Sequence, residues 1–193
     1  MPTDPFALFA EWMALAKESE INDPDAMALA TATPDGRPSV RMVLMRRYGP
    51  EGFGFFTNLQ SRKGGEIAAN PWGALCIHWK SLRKQVRAEG RLVAISDAEA
   101  DDYFASRSRN SRIGSHASDQ SRPLDSRETF VRRVEEMQAR FADGEVPRPA
   151  HWSGFRLVPD RIEFWEDVEF RLHHRRLFER QADGSWTEGL LYP

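Results

Sequence analysis

Hydrophobic positions in this chain switch between a helical period and a period of two. Phe6, Phe9, Trp12, Met13 and Leu15 recur at helical spacing within residues 5–18, behind Asp4 as an N-cap. Met27 to Thr33 reads as a strand, Pro34-Asp35-Gly36-Arg37 as a turn, and Ser39 to Arg46 as the returning strand. Gly52 to Thr57 is a third strand. Ser61 caps a short helix that stops near Asn70-Pro71. Trp72 to Lys80 and Lys84 to Ile95 form a long hairpin. Asp97 caps a helix to about Arg107, residues 108–123 read as a Ser/Arg/Gly/Asn-rich loop, and Asp125 opens a helix to about Phe141. Beyond the break at Pro147 to Pro149, strands are expected at 153–158, 161–166, 169–180 and 185–191, the last two joined by Ala182-Asp183-Gly184. Short turns between most strands favour antiparallel pairing, and the helices are too few for repeated βαβ units. The expected fold is mainly β, a closed or nearly closed antiparallel barrel with peripheral helices.

Composition narrows the function more than the fold. The 193 residues suffice for one well-buried core, and a formal net charge of −2 gives no global pull toward nucleic acid. Cys76 is the only cysteine, which rules out an internal disulfide and fits a reducing cytoplasm. Met1-Pro2-Thr3-Asp4-Pro5 begins with neither a basic segment nor an apolar run, so no signal peptide or membrane span is expected. His78, His116, His151, His173 and His174 form no recognised metal-ligand pattern. No Rossmann glycine pattern, P-loop or serine nucleophile elbow is present.

Four segments carry candidate chemistry. Arg41-Met42-Val43-Leu44-Met45-Arg46 places a guanidinium at each end of an apolar run. These suit phosphate or carboxylate, or are two surface arginines of an edge strand; their odd separation points them to opposite faces unless a bulge intervenes. In Phe56-Thr57-Asn58-Leu59-Gln60-Ser61-Arg62-Lys63-Gly64-Gly65, two cations occupy a helix's first turn, where the dipole favours an anion. A solvated basic helix start is the alternative. Tyr103 and Arg107 share a helix face, with Ser111 four residues on, giving either a phosphate clamp or a polar face running into a loop. Arg171, His173 and Arg175 share one face if residues 169–180 are a strand, with Trp165 at the same parity. That face suits a charged ligand, or is the basic outside of a terminal hairpin.

In order and spacing, these segments resemble the pyridoxamine 5′-phosphate oxidase family, whose members make pyridoxal 5′-phosphate. The resemblance runs from Asp4-Pro5-Phe6 to Pro193. It rests on Met27-Ala28-Leu29-Ala30-Thr31, RMVLMR at 41–46, FFTNLQSRKG at 55–64, RKQVRAEG at 83–90, YFASRSRNSRIG at 103–114, DQS at 119–121, and IEFW with RLHHR ending at Arg175. It implies an antiparallel FMN-binding split β-barrel over residues 1–193, residues 1–20 forming a helix packed on it. It also implies a homodimer with FMN at the subunit interface. By resemblance, FMN contacts fall on Arg41, Met42, Val43, Leu44, Arg46, Phe56, Thr57, Arg62, Lys63, Gln85, Gln120, Ser121, Trp165 and Arg175. The substrate phosphate falls to Tyr103, Arg107 and Ser111, with Arg46 close by, and Arg171 and His173 lie beside the pyridine ring and the reacting carbon as catalytic residues. The implied reaction passes a hydride from C4′ of the substrate to the flavin and then electrons to O2, giving peroxide and, from the amine, ammonia.

The chain departs from the family pattern at several points. Arg46 stands for a usual Lys, Phe56 for Tyr, His174 for the Asp of RLHD, Glu166-Asp167-Val168 for Gln-Gly-Arg, and Leu190 for Arg, and the basic segment many members carry before Asp-Pro-Phe is missing. Two rivals remain open: a split-barrel flavin oxidase acting on a phenazine precursor, and a non-catalytic protein binding FMN or pyridoxal phosphate. A nucleic-acid-binding barrel is disfavoured, because the basic residues lack interleaved aromatics.

Overall fold

The structure, a computed structural model, describes residues 4–193. Residues 1–3 of the sequence reading lie outside the described residues. Asp4 accepts a hydrogen bond from the Phe6 amide and starts α1 (Pro5–Ser19). The buried stripe of α1 is Phe6, Leu8, Phe9, Trp12, Met13 and Ala16; Leu15, expected on it, is exposed. The strands are β1 (Ala26–Ala32), β2 (Pro38–Leu44), β3 (Arg47–Gly49), β4 (Gly52–Asn58), β5 (Trp72–Trp79), β6 (Lys84–Ala94), β7 (Trp152–Glu166), β8 (His174–Arg180) and β9 (Trp186–Leu190). The remaining helices are α2 (Arg62–Ala69), α3 (Asp97–Ser106), α4 (Arg109–Ala117) and α5 (Arg127–Phe141).

All nine strands join one antiparallel sheet in the order β2-β1-β5-β6-β7-β4-β3, with β8 on β7 and β9 on β8. The sheet forks at β7, whose first half pairs with β4 and second half with β8. Its two ends approach each other, since the Arg46 amide just past β2 donates to the Gly54 carbonyl of β4 at 2.8 Å. α1 plugs this curl. Phe9 meets Tyr48 and Phe53 on one side and Trp79 on the other, while Trp12 meets Trp79 and Phe164. One aromatic core thus draws on both arms of the sheet, as expected of a nearly closed barrel.

Four expectations are corrected. Strands 153–158 and 161–166 are one strand, β7, because β6 absorbs Pro159 with a register shift at Glu89/Gly90. A Cβ at Gly90 would sit 2.1 Å from the Val158 carbonyl oxygen, so only glycine fits that bulge. Residues 108–123 are not all loop, because Ser108 caps α4 through the Ser111 amide and Ile113 and Ala117 are buried. Helix caps fall one residue earlier or later than expected, on Ser96 rather than Asp97 and on Ser126 rather than Asp125. The strand expected over 169–180 begins only at His174. Before it, Glu169–Arg171 form a single 3-10 turn with Phe170 and Arg171 in the left-handed region, at φ 59° and 65°.

Candidate functional site

A cavity of about 710 Å³ opens between the two ends of the sheet. Its wall takes Arg41–Leu44 from β2, then Arg46, the end of β4, Lys63 of α2, Tyr103 and Arg107 around the end of α3, and the α4 face bearing Ser111 and Ser115. Among the described residues, four cations line it (Arg41, Arg46, Lys63 and Arg107) and no carboxylate does. Such a wall suits a strongly anionic ligand.

The cations differ in what neutralises them. Arg41 donates to Thr31 Oγ1 at 2.6 Å, to Ser39 Oγ, and to Glu66 Oε2 at 3.2 Å. Burial pushes the Glu66 carboxyl up, but hydrogen bonds from Ser39, Thr31, Arg62 and Arg41 outweigh it and hold the group at about 2. Arg46 pairs with Asp25 at 2.7 Å. Arg41 and Arg46 thus pair with different acids, but they do not point to opposite faces: both line this cavity, because β2 ends at Leu44 and strand alternation does not extend to Arg46.

Lys63 and Arg107 have no acidic partner among the described residues. Lys63 is buried in the first turn of α2, and its Nζ donates to Gln120 Oε1 at 2.7 Å, Thr57 Oγ1 at 3.0 Å and Ser61 Oγ at 3.3 Å. Burial, reinforced by nearby Arg41, pulls its ammonium down to about 8. Arg62, its neighbour, turns away and pairs with Glu66 at 2.9 Å, one helical turn on. Arg107 ends α3, donates to Ser115 Oγ at 2.7 Å, and lies 5.0 Å from the centre of the Trp152 ring. Burial lowers its pKa. Tyr103 stacks on Phe56 at 4.1 Å, and Phe56 stacks in turn on Trp152 at 5.3 Å. This apolar wall stands beside the two unpaired cations, a pairing that suits a ligand with one flat ring and one phosphate.

Within one chain, the predicted residues fall into two groups. Arg41, Met42, Val43, Leu44, Arg46, Phe56, Thr57, Lys63, Tyr103, Arg107, Ser111 and Gln120 line the cavity. Arg62, Gln85, Ser121, Trp165, Arg171, His173 and Arg175 do not. Gln85, Trp165 and Arg175 stand in register across β6, β7 and β8 on the outer face of the sheet. Arg175 is held there by Glu163, at 2.8 and 3.1 Å. His173 precedes β8 rather than lying in it, with its ring 4.7 Å from that of Trp165. Arg171 and Ser121 are exposed.

Sequence reasoning missed Trp152, Asn58, Ser115 and Ser118 in the wall. Trp152 had a signal, a large aromatic opening a strand just past a proline break. The two serines carry none, because a stretch rich in Ser, Arg, Gly and Asn gives no helical signal.

Fold and cavity together define a split-barrel protein built to hold phosphorylated ligands. Residues 15–141 match the family model described as pyridoxamine 5′-phosphate oxidase. Residues 152–193 match the pyridoxine 5′-phosphate oxidase C-terminal dimerisation region. The chain belongs to the pyridoxamine 5′-phosphate oxidase family. A pyridoxine/pyridoxamine 5′-phosphate oxidase of Sphingopyxis alaskensis is 65% identical over 193 residues, covering 100% of this chain and 89% of that protein. One from Novosphingobium aromaticivorans is 60% identical, covering 98% and 94%. Among solved structures, PhzG from Burkholderia lata 383, in complex with tetrahydrophenazine-1-carboxylic acid, superposes with a TM-score of 0.93 at 34% identity, covering 100% of this chain and 94% of that one.

Proposed function

We propose that this protein is an FMN-dependent oxidase converting pyridoxamine 5′-phosphate or pyridoxine 5′-phosphate to pyridoxal 5′-phosphate, with O2 as acceptor. The observation that carries the reading is one acid-free cavity holding two cations without acidic partners, Lys63 and Arg107. FMN and the substrate each bring a phosphate. FMN fits the α2 side, where Lys63, Thr57 and Gln120 offer a buried charge ringed by hydrogen-bonding groups. When bound, FMN supplies a two-electron acceptor that O2 reoxidises, releasing H2O2. Tyr103, Arg107 and Ser111 hold the substrate phosphate and so fix where its C4′ carbon lies. Arg171 and His173 position the pyridine ring, and His173 takes the proton that leaves the substrate.

The second group of predicted residues requires a second protomer. On β2, Val40 and Met42 are 68% and 63% exposed. They share an outer face with Gln85, Trp165 and Arg175: Met42 pairs with Ala28, Ala28 with Cys76, Cys76 with Arg87, Arg87 with Glu163. Burying this face in a homodimer brings one protomer's Trp165, Arg171, His173 and Arg175 to the other's cavity. The match to a dimerisation region supports this arrangement. A cytoplasmic location fits the cofactor and the single cysteine.

Peroxide release tests the reading. The FMN-loaded protein is assayed with pyridoxamine 5′-phosphate, pyridoxine 5′-phosphate and a reduced phenazine carboxylate. Turnover of the phosphorylated pyridines is expected, with KM raised about 10- to 100-fold in Arg107→Ala, the loss of one charged hydrogen bond. Turnover of the phenazine alone would assign the site to that chemistry. An unchanged KM in Arg107→Ala would remove the phosphate clamp.

A further inference from the structure

Arg107 is the cation of the Tyr103–Arg107–Ser111 clamp, and among the described residues its side chain makes a single hydrogen bond: Nη1 donates to Ser115 Oγ at 2.7 Å. Its other neighbours are ring faces, Trp152 at 5.0 Å and Phe104 at 5.7 Å. A ring face attracts the guanidinium charge as a whole and favours no particular N–H. The rotation of the guanidinium against these rings is therefore set by Ser115.

The Ser115 hydroxyl is itself oriented. Its Oγ donates to the Ser111 carbonyl at 3.0 Å, one helical turn back along α4. A carbonyl can only accept and a guanidinium can only donate, so the hydroxyl proton goes to Ser111 and a lone pair faces Arg107. The Ser115 carbonyl in turn accepts from His151 Nε2 at 3.0 Å, which ties this turn of α4 to the chain just before β7. A neutral anchor also keeps the charge available. Arg41 and Arg46 are held by Glu66 and Asp25. An acid in place of Ser115 would hold Arg107 as firmly but would neutralise it and repel a phosphate. We infer, on the basis of the clamp proposed above, that Ser115 is a positioning residue for the substrate phosphate. It fixes the Arg107 guanidinium, leaves its charge intact, and couples it to the turn of α4 that carries Ser111.

The test is a double-mutant cycle on the FMN-loaded enzyme, with KM and kcat read for pyridoxamine 5′-phosphate. Ser115→Ala should raise KM about three- to tenfold with little change in kcat. It should not lower the thermal midpoint, since alanine is the better helix former. In the Arg107→Ala background the same change should raise KM no further, because nothing is left for Ser115 to hold. Ser115→Thr, which keeps the hydroxyl, should stay near the native KM. A native KM in Ser115→Ala, an equal rise in both backgrounds, or a Ser115→Thr KM as high as that of Ser115→Ala would overturn the inference and leave the clamp standing. A native KM in Arg107→Ala would sink the clamp, and the inference with it.

Discussion

Arg62 and Lys63 are adjacent in sequence and opposite in environment. Arg62 is neutralised by Glu66 outside the cavity, whereas Lys63 is buried against neutral oxygens. A buried ammonium without a counter-ion costs stability, and that cost is full below about pH 8 and fades as pH rises from there toward the ordinary 10.5. A bound phosphate removes it. FMN affinity should therefore be constant below about pH 8 and then weaken, toward tenfold per pH unit. Titration by flavin fluorescence checks this, and a flat profile to pH 9.5 would exclude Lys63 as a phosphate ligand. Lys63→Met should lower FMN affinity about tenfold or more at pH 7. The sequence indicated an anion site in this turn from two cations opposing a helix dipole. It did not indicate that the two cations part company, because Glu66 pairs with Arg62 through a contact visible only once α2 is built.

Glu66 links β1, β2 and α2 through Thr31, Ser39, Arg41 and Arg62. A carboxyl held at about 2 rather than 4.5 is worth on the order of 3 kcal/mol at neutral pH. That stabilisation is full above about pH 4.5 and is lost as pH falls toward 2. Glu66→Gln should lower the thermal midpoint by several degrees at pH 7 and by much less at pH 3, measured by calorimetry. At the start of α2, a Cβ on Gly64 would sit 2.1 Å from the Leu59 carbonyl oxygen. Gly64→Ala should cost about 1–3 kcal/mol or more, read from urea unfolding. Elements with strong periodicity or caps, such as α1, α2 and the β5–β6 hairpin, were legible in the sequence almost to their ends. α4 was not, because its Arg- and Ser-rich composition hides a helix that buries only Ile113 and Ala117. The left-handed residues at 170 and 171 were not, because neither Phe nor Arg signals that conformation. The barrel itself followed from short turns between alternating strands. The fork at β7 did not, since it depends on how a 15-residue strand divides its partners.

At the scale of the molecule, the predicted residues lie in two places within one chain, the cavity and the Trp165–Arg175 face of the sheet. Family resemblance brought both sets of residues into view, and strand parity put Arg175 and Trp165 on one face, but neither reveals that the sets lie apart within a single chain. If two copies complete each other's sites, oligomeric state and cofactor binding are coupled. Met42→Glu, on the exposed face of β2, should shift the protein toward monomer in sedimentation velocity and weaken FMN binding with it. A monomer that keeps full FMN affinity would separate the two. The oxidase reading itself is decided by mixing the FMN-loaded protein with pyridoxamine 5′-phosphate under strict anaerobiosis and following flavin absorbance. Bleaching is expected within the turnover time, followed on admission of air by return of the yellow colour together with stoichiometric peroxide and pyridoxal 5′-phosphate. Flavin that stays oxidised with both pyridoxamine and pyridoxine 5′-phosphate would contradict it.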